Sequence, residues 1–225
     1  MSNRNLPTRI PLTDEQLEAL TVDESIRLKL TNDEVHRLKA INSRRMQERA
    51  AREVRLREEQ RVILEELRKV GVVEESIWGL VNDPGPYPEA IPILLRHLKL
   101  PYSDATRDGI ARCLAVPEPA VRAAWPMLVA EYRNAPTGRG FIAPCETKEY
   151  ALCAKEGLAL AVRSAVTEQT LPEFISLVKD RSNGESRVLL LKVLRSRRKK
   201  DPEVAQLLTE LAEDPDLKKE IASWK

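Results

Sequence analysis

Ala90-Ile91-Pro92-Ile93-Leu94-Leu95, Ala124-Trp125-Pro126-Met127-Leu128-Val129 and Thr170-Leu171-Pro172-Glu173-Phe174-Ile175 are three copies of one phrase, and a proline-free echo follows at Ala205-Gln206-Leu207-Leu208. Pro92, Pro126, Pro172 and Gln206 stand 34, 46 and 34 residues apart. Recurrence in this range marks stacked helical hairpins, in which each unit covers an apolar flank that its neighbour cannot bury alone. The wide middle interval holds the same unit and an insertion. Asn134 to Glu146, with two prolines and two glycines, is where that insertion belongs.

Composition agrees with helix-on-helix packing. Of the 225 residues, 42% are hydrophobic and only 4% aromatic, so a core must be filled by Leu, Val, Ile and Ala. No Asn-Gly or Asp-Gly pair is flanked by the alternating patterns of a β-hairpin. The fold class expected is all-α. Formal charge is +2, with 15 basic against 13 acidic residues before Gly71 and 22 against 22 after it. That balance does not by itself point to nucleic acid or to a membrane surface, so any basic site is local. The three cysteines (Cys113, Cys145, Cys153) form no Cys-x-x-Cys pair and read as reduced thiols of a cytosolic protein. With neither a signal-length apolar run nor a membrane-length one, the location expected is cytoplasmic, with no membrane span.

Three segments follow: a lead over residues 1–31, a long charged helix over 32–71, and a repeat domain over 72–225. Residues 1–12 hold two prolines and no apolar period and read as extended. Thr13 with Gln16, Thr21 with Glu24, and Thr31 with Glu34 then match the capping box. They predict two short helical turns followed by a helix from Asn32 to about Val70, stopped by Gly71. Apolar residues are frequent at its two ends. Its middle is solvated and basic, running from Arg44 to Arg57. Such a helix can bridge the lead to the body, join a coiled coil, or touch nucleic acid. No aromatic residue interleaves the arginines to make a stacking site.

In the repeat domain, Glu74 to Val81 is expected to be a short helix. The first hairpin pairs a helix A over Pro88–Lys99 with a helix B capped by Asp104. The second pairs Pro119–Arg133 with a long, mostly apolar helix B from Thr147 to Ala165. The third pairs Thr170–Lys179 with Glu185–Arg195. A fourth opens at Asp201-Pro202 and ends on Leu217, Ile221 and Trp224. A proline inside helix A, an Asp at the A–B turn and a basic residue one turn into helix B together resemble HEAT-type repeats over about residues 86–224. Asp104 with Arg107, Asp180 with Arg187, and Asp214 with Lys218 carry the likeness. The resemblance implies a HEAT-like α-solenoid of about four hairpins, with a ladder of Asp and basic side chains linking neighbouring repeats. The second copy departs from it, with Asn134 in place of the Asp and helix B lacking the arginine of the motif.

No reaction is announced. His36 and His97 are the only histidines, neither at ligand spacing from a second donor, so no metal or cofactor is expected. His97 reads as a surface residue of its helix. No nucleophile elbow, phosphate loop or dinucleotide fingerprint occurs. The strongest charge feature is Arg195-Ser196-Arg197-Arg198-Lys199-Lys200. With Arg107, Arg187 and Lys192, the arginines at 195, 197 and 198 are the candidate partner-binding residues. The resemblance implies a non-enzymatic scaffold or adaptor that binds a protein on its concave face. The alternative is a nucleic-acid-binding HEAT-like protein, including a DNA glycosylase-like enzyme, with Arg44–Arg57 or Arg195–Lys200 as the contact.

Overall fold

The structure, a computed structural model, describes residues 10–83 and 85–224, so most of the extended lead expected over residues 1–12 lies outside the described residues. The chain is all-α, with thirteen α-helices and one pair of two-residue strands among the described residues. It divides into two compact units, residues 1–54 and 55–225.

The first unit holds α1 (Asp14–Ala19), α2 (Val22–Arg27) and the first part of α3 (Asn32–Lys69). All three capping boxes form, with each threonine hydroxyl accepting from the third-residue N–H and the Gln or Glu side chain reaching back. Glu34 does more than cap: it is fully buried and also accepts from the N–H of Leu12 at 2.8 Å. Ionic contacts join α1 to α3 through Arg37 with Asp14 and Arg44 with Glu18.

In the second unit α3 ends as the sequence predicts. Gly71 takes φ +88°, and Val72 N–H reaches Leu67 C=O while Gly71 N–H reaches Arg68 C=O, the two bonds of a Schellman cap. Next come α4 (Ile77–Asn82), α5 (Ile91–Leu98) after a 3₁₀ turn at Pro88–Ala90, and α6 (Asp104–Cys113). Helix α4 starts three residues later than expected because the Ser76 hydroxyl, accepting from Gly79 N–H, supplies its cap. The second hairpin comprises α7 (Pro119–Ala123), α8 (Trp125–Asn134) and α9 (Ala154–Ala165). The third comprises α10 (Leu171–Lys179), a 3₁₀ turn (Arg181–Ser186) and α11 (Arg187–Arg197), and the fourth α12 (Pro202–Leu211) and α13 (Lys218–Ala222).

Three expectations are corrected. Pro92, Pro126 and Pro172 do not interrupt helix interiors; each stands in the first turn of its helix, where its missing N–H has no partner to lose. Helix A of the second copy is accordingly two helices, broken at Ala124 with ψ 9°. Helix α9 begins at Ala154 and not Thr147, because Tyr150-Ala151 (β2) pairs antiparallel with Arg139-Gly140 (β1). The insertion therefore runs further than its prolines and glycines suggested.

Asp104, expected to cap its own helix, instead accepts from the backbone N–H groups of Cys153 (2.7 Å) and Ala154 (3.1 Å), the entry to α9. Apart from α4 packing on α6, the substantial helix–helix contacts in the second unit lie within one hairpin or between hairpins adjacent in sequence. The most extensive joins α6 to α9, and α9 in turn packs on α11. Ile110, Ala111, Leu158, Ala159, Val162, Leu190, Leu191 and Leu194 are buried along this row. The last fifteen residues of α3 are fastened by polar contacts. Glu59 accepts from the backbone N–H and hydroxyl of Ser103 and from Thr106, and Gln60 bridges Thr106 to Ile77 N–H.

At Gly157 the backbones of α6 and α9 approach so closely that a β-carbon would lie 2.8 Å from the Asp108 carbonyl and 2.4 Å from its carboxylate. Gly157→Ala should therefore destabilise the chain by about 1–3 kcal/mol, despite the better helix propensity of alanine. Equilibrium urea unfolding checks this. Asp108 is buried beside Arg112 Nε at 2.9 Å, and burial pushes its carboxyl up to about 6. A folded-state value above the unfolded one means that stability falls as pH rises from about 4 to 6 through this group. Asp108→Asn should remove that fall, so its stability relative to the parent should be more favourable at pH 7 than at pH 4, read from urea midpoints.

Candidate functional site

Two sets of basic side chains emerge from the hairpins: one spent on the fold, the other left open. The first stands at or near the first turn of α6, α9 and α11. Arg107 donates to Glu131 of α8 at 2.7 Å. Lys155 is buried, donates to the carbonyl of Ala135 at 3.4 Å and lies 5.1 Å from the centre of the Tyr132 ring. Burial lowers its pKa while the Asp180 carboxylate of the next hairpin opposes the shift. Arg187 is fully enclosed and holds Asp214 through two nitrogens (3.0 and 3.2 Å) and Asp216 at 2.7 Å.

Arg187 was a candidate for contact with a partner, and that assignment is corrected: a side chain with no exposure, whose fork is filled by two carboxylates and the carbonyls of Val178 and Gly184, has nothing to offer a ligand. Burial would lower its pKa, but the hydrogen bonds to Asp214 and Asp216 outweigh it and raise it. Asp214 bonds to Arg187 and Arg181 and not to the Lys218 side chain. Lys155 is the basic residue that the second copy seemed to lack. It escaped notice because helix B was expected to start seven residues early. His97 is corrected too: it is buried, with Nδ1 on the Tyr102 hydroxyl at 2.8 Å and Nε2 on Glu66 at 3.0 Å. Held on both nitrogens, the ring ties α5 to Glu66 of α3 and to Tyr102.

The second set surrounds a cleft of about 620 Å³. Helix α9 contributes Arg163. Val188, Leu189, Lys192 and Arg195 come from α11, and Arg198 and Lys199 from the turn beyond it. The opposite wall is Glu220 and Trp224. Helical spacing explains the convergence within α11, since 188, 192 and 195 recur every three or four residues and so share one face. Arg195 lies 5.3 Å from the centre of the Trp224 ring, and the indole N–H donates to Glu220 at 2.8 Å. Among the described residues, none of Arg163, Lys192, Arg195, Arg198 or Lys199 has a carboxylate within ion-pair distance. Arg163 is half-buried, and burial lowers its pKa.

Of the six side chains picked from sequence, Lys192, Arg195 and Arg198 thus come together. Arg107 and Arg187 do not, and Arg197 turns away to a two-point contact with Glu168 at 2.6 and 2.8 Å. Arg163 and Trp224 were missed. Both carried a signal: Arg163 is the lone arginine of a mostly apolar helix, and Trp224 an aromatic residue in a chain with few. In the other basic stretch Arg44, Arg49 and Arg55 each pair with a carboxylate. Among the described residues no group of three His, Cys, Asp or Glu side chains could hold a metal ion, and no helix is long and apolar enough to cross a membrane. Comparison with family models, curated proteins and solved structures finds no match to this chain.

Arg187→Ala leaves buried Asp214 with only the exposed Arg181 as its cation and leaves a void where Arg187 stood, and should cost about 3 kcal/mol. Arg187 holds the Asp214 carboxyl below its usual range, so that stabilisation is present at neutral pH and lost as pH falls below about 4. The gap between parent and variant should therefore narrow in acid, as urea titrations at pH 7 and pH 3 would report.

Proposed function

We propose that the chain is a non-enzymatic binding module, a HEAT-like α-solenoid of four hairpins that holds a segment of a partner protein along its inner helices. The architectural half of this reading draws support from the contact pattern: the extensive contacts run between hairpins adjacent in sequence, with α6 on α9 and α9 on α11. It also draws support from the links between repeats. Arg187 with Asp214 joins the third hairpin to the fourth, and the Asp180 carboxylate of the third acts electrostatically on Lys155 of the second. These links are in keeping with the ladder that the resemblance implies, with lysine in place of arginine once.

The single observation that carries the functional half is the contrast in charge pairing. Basic residues elsewhere in the second unit are repeatedly matched with carboxylates, whereas five cations around the cleft have none among the described residues. Leaving cations unmatched and close together costs stability by mutual repulsion, which an acidic partner would relieve. The cleft also has an apolar side formed by Val188, Leu189 and Trp224. A surface of mixed cationic and apolar character suits a protein more than a phosphate backbone, which asks only for charge.

The test compares the parent with Lys192→Glu/Arg195→Glu, both side chains being exposed so that the fold should survive. Chemical crosslinking followed by mass spectrometry, in nuclease-treated extract of the native source, should give protein partners with the parent. The variant should lose at least nine-tenths of them. Equal capture by the two, or loss of all partners on nuclease treatment, would contradict the proposal.

A further inference from the structure

Taking the protein-binding reading as its base, we infer that the cleft between α9, α11 and the C-terminal residues receives an acidic amphipathic helix, its carboxylates meeting Lys192, Arg195 and Lys199 and one apolar side chain meeting Val188 and Leu189. Four features of the cleft lead there. The first is register. Lys192 and Arg195 follow one another by three residues on α11, and Lys199 stands four further on in the turn just beyond it, where Arg198 keeps helical dihedrals. A second helix with glutamates at i, i+3 and i+7 repeats that interval, so each carboxylate meets one cation. An extended segment sets same-face side chains about 7 Å apart, and three of them overrun the row.

The second feature is the placement of apolar surface. Val188 and Leu189 lie one turn before Lys192 on the same helix, both half-buried, so the charged row continues into an apolar step. An amphipathic helix carries such a neighbour on its own face, one turn from its carboxylates.

The third is the state of Trp224. Its ring is only 9% exposed, Arg195 lies over it, and its N–H is committed to Glu220. A base seeking a stacking surface finds that face occupied, which removes the usual attraction of single-stranded nucleic acid. Arg195 gains from the same arrangement, since a guanidinium resting on a ring is held out of free rotation and presents its remaining donors in a fixed plane. The fourth is Arg163, which reaches the cleft from the neighbouring hairpin with no carboxylate in reach among the described residues. A fourth acidic side chain of the incoming helix would lie against it.

The experiment is fluorescence anisotropy with the full chain at low and moderate salt, using four probes. One labelled synthetic peptide carries glutamates at i, i+3 and i+7 with a leucine one turn beyond. A second has the same composition with the glutamates spread around the helix. The others are a short DNA duplex and vesicles rich in phosphatidylserine. The inference expects the first peptide to bind at least tenfold tighter than the second and to become helical by circular dichroism. Lys192→Glu/Arg195→Glu should abolish that binding, while Arg122→Glu, a charge reversal elsewhere on the surface, should leave it unchanged.

Equal binding of both peptides, lost together in the double variant, overturns the helix as occupant and leaves the protein-binding reading in place. Tight binding of duplex or vesicles with neither peptide bound overturns both. Failure of every probe overturns the inference as well, because a matched row of this kind should hold a peptide at low salt. Circular dichroism melts of the two variants show that each remains folded.

Discussion

Two backbone N–H groups at the entry to α9 find their acceptor in the carboxylate of Asp104, a residue at the start of a helix in the preceding hairpin. The rest of the second unit depends on that contact. Exposed N–H groups at a helix start require acceptors, and here the acceptor belongs to the previous hairpin. With the β1–β2 pairing just before it, the bond fixes the start of α9 against α6. Gly157, three residues on, then falls opposite Asp108, where a side chain would not fit. Once α6 and α9 are in register, Leu158, Ala159 and Val162 meet Ile110 and Ala111 across the interface, and α11 can add its own leucines to the row.

The same device recurs further along the chain with other atoms. Arg187 passes from the third hairpin to Asp214 of the fourth, and Lys155 lies in the field of Asp180. Apolar burial drives the hairpins together but is indifferent to small slides of one helix on another. Polar contacts at one end of each helix remove that freedom. Buried and paired, they cost little once made and a great deal if half-made. This division of labour explains why some cations are enclosed and others stand in the open, and the open ones define the candidate site.

Much of the fold could be read from sequence because its signals are local. Capping boxes at Thr13, Thr21 and Thr31, the stop at Gly71 and the Asp201-Pro202 start each depend on residues within one turn, and the structure has all of them. The insertion was placed but its extent was not, since the pairing of Arg139 with Ala151 is fixed by contacts that no short window contains. The prolines misled for a different reason. A proline within an apolar run looks the same whether it stands in a helix interior or opens a second helix after a break. Only the geometry at Ala124 decides. The site was half legible. Lys192, Arg195 and Arg198 were picked as cations, but exposure is a tertiary property. Sequence could not tell that Arg187 is enclosed, that Arg197 is matched by Glu168, or that Arg163 of α9 joins the group.

A chain whose extensive contacts run between hairpins adjacent in sequence should come apart piecemeal, and this can be measured in the intact protein. Leu208→Ala opens a cavity in α12 and weakens the last hairpin by about 2–5 kcal/mol. Native-state hydrogen exchange would then follow each helix separately. Faster exchange confined to the amides of α11 and α12, with those of α6 unchanged, is the expected result. A uniform rise in exchange from α4 to α12 would mean that the unit opens as one block, and the description of a stack linked hairpin by hairpin would be wrong.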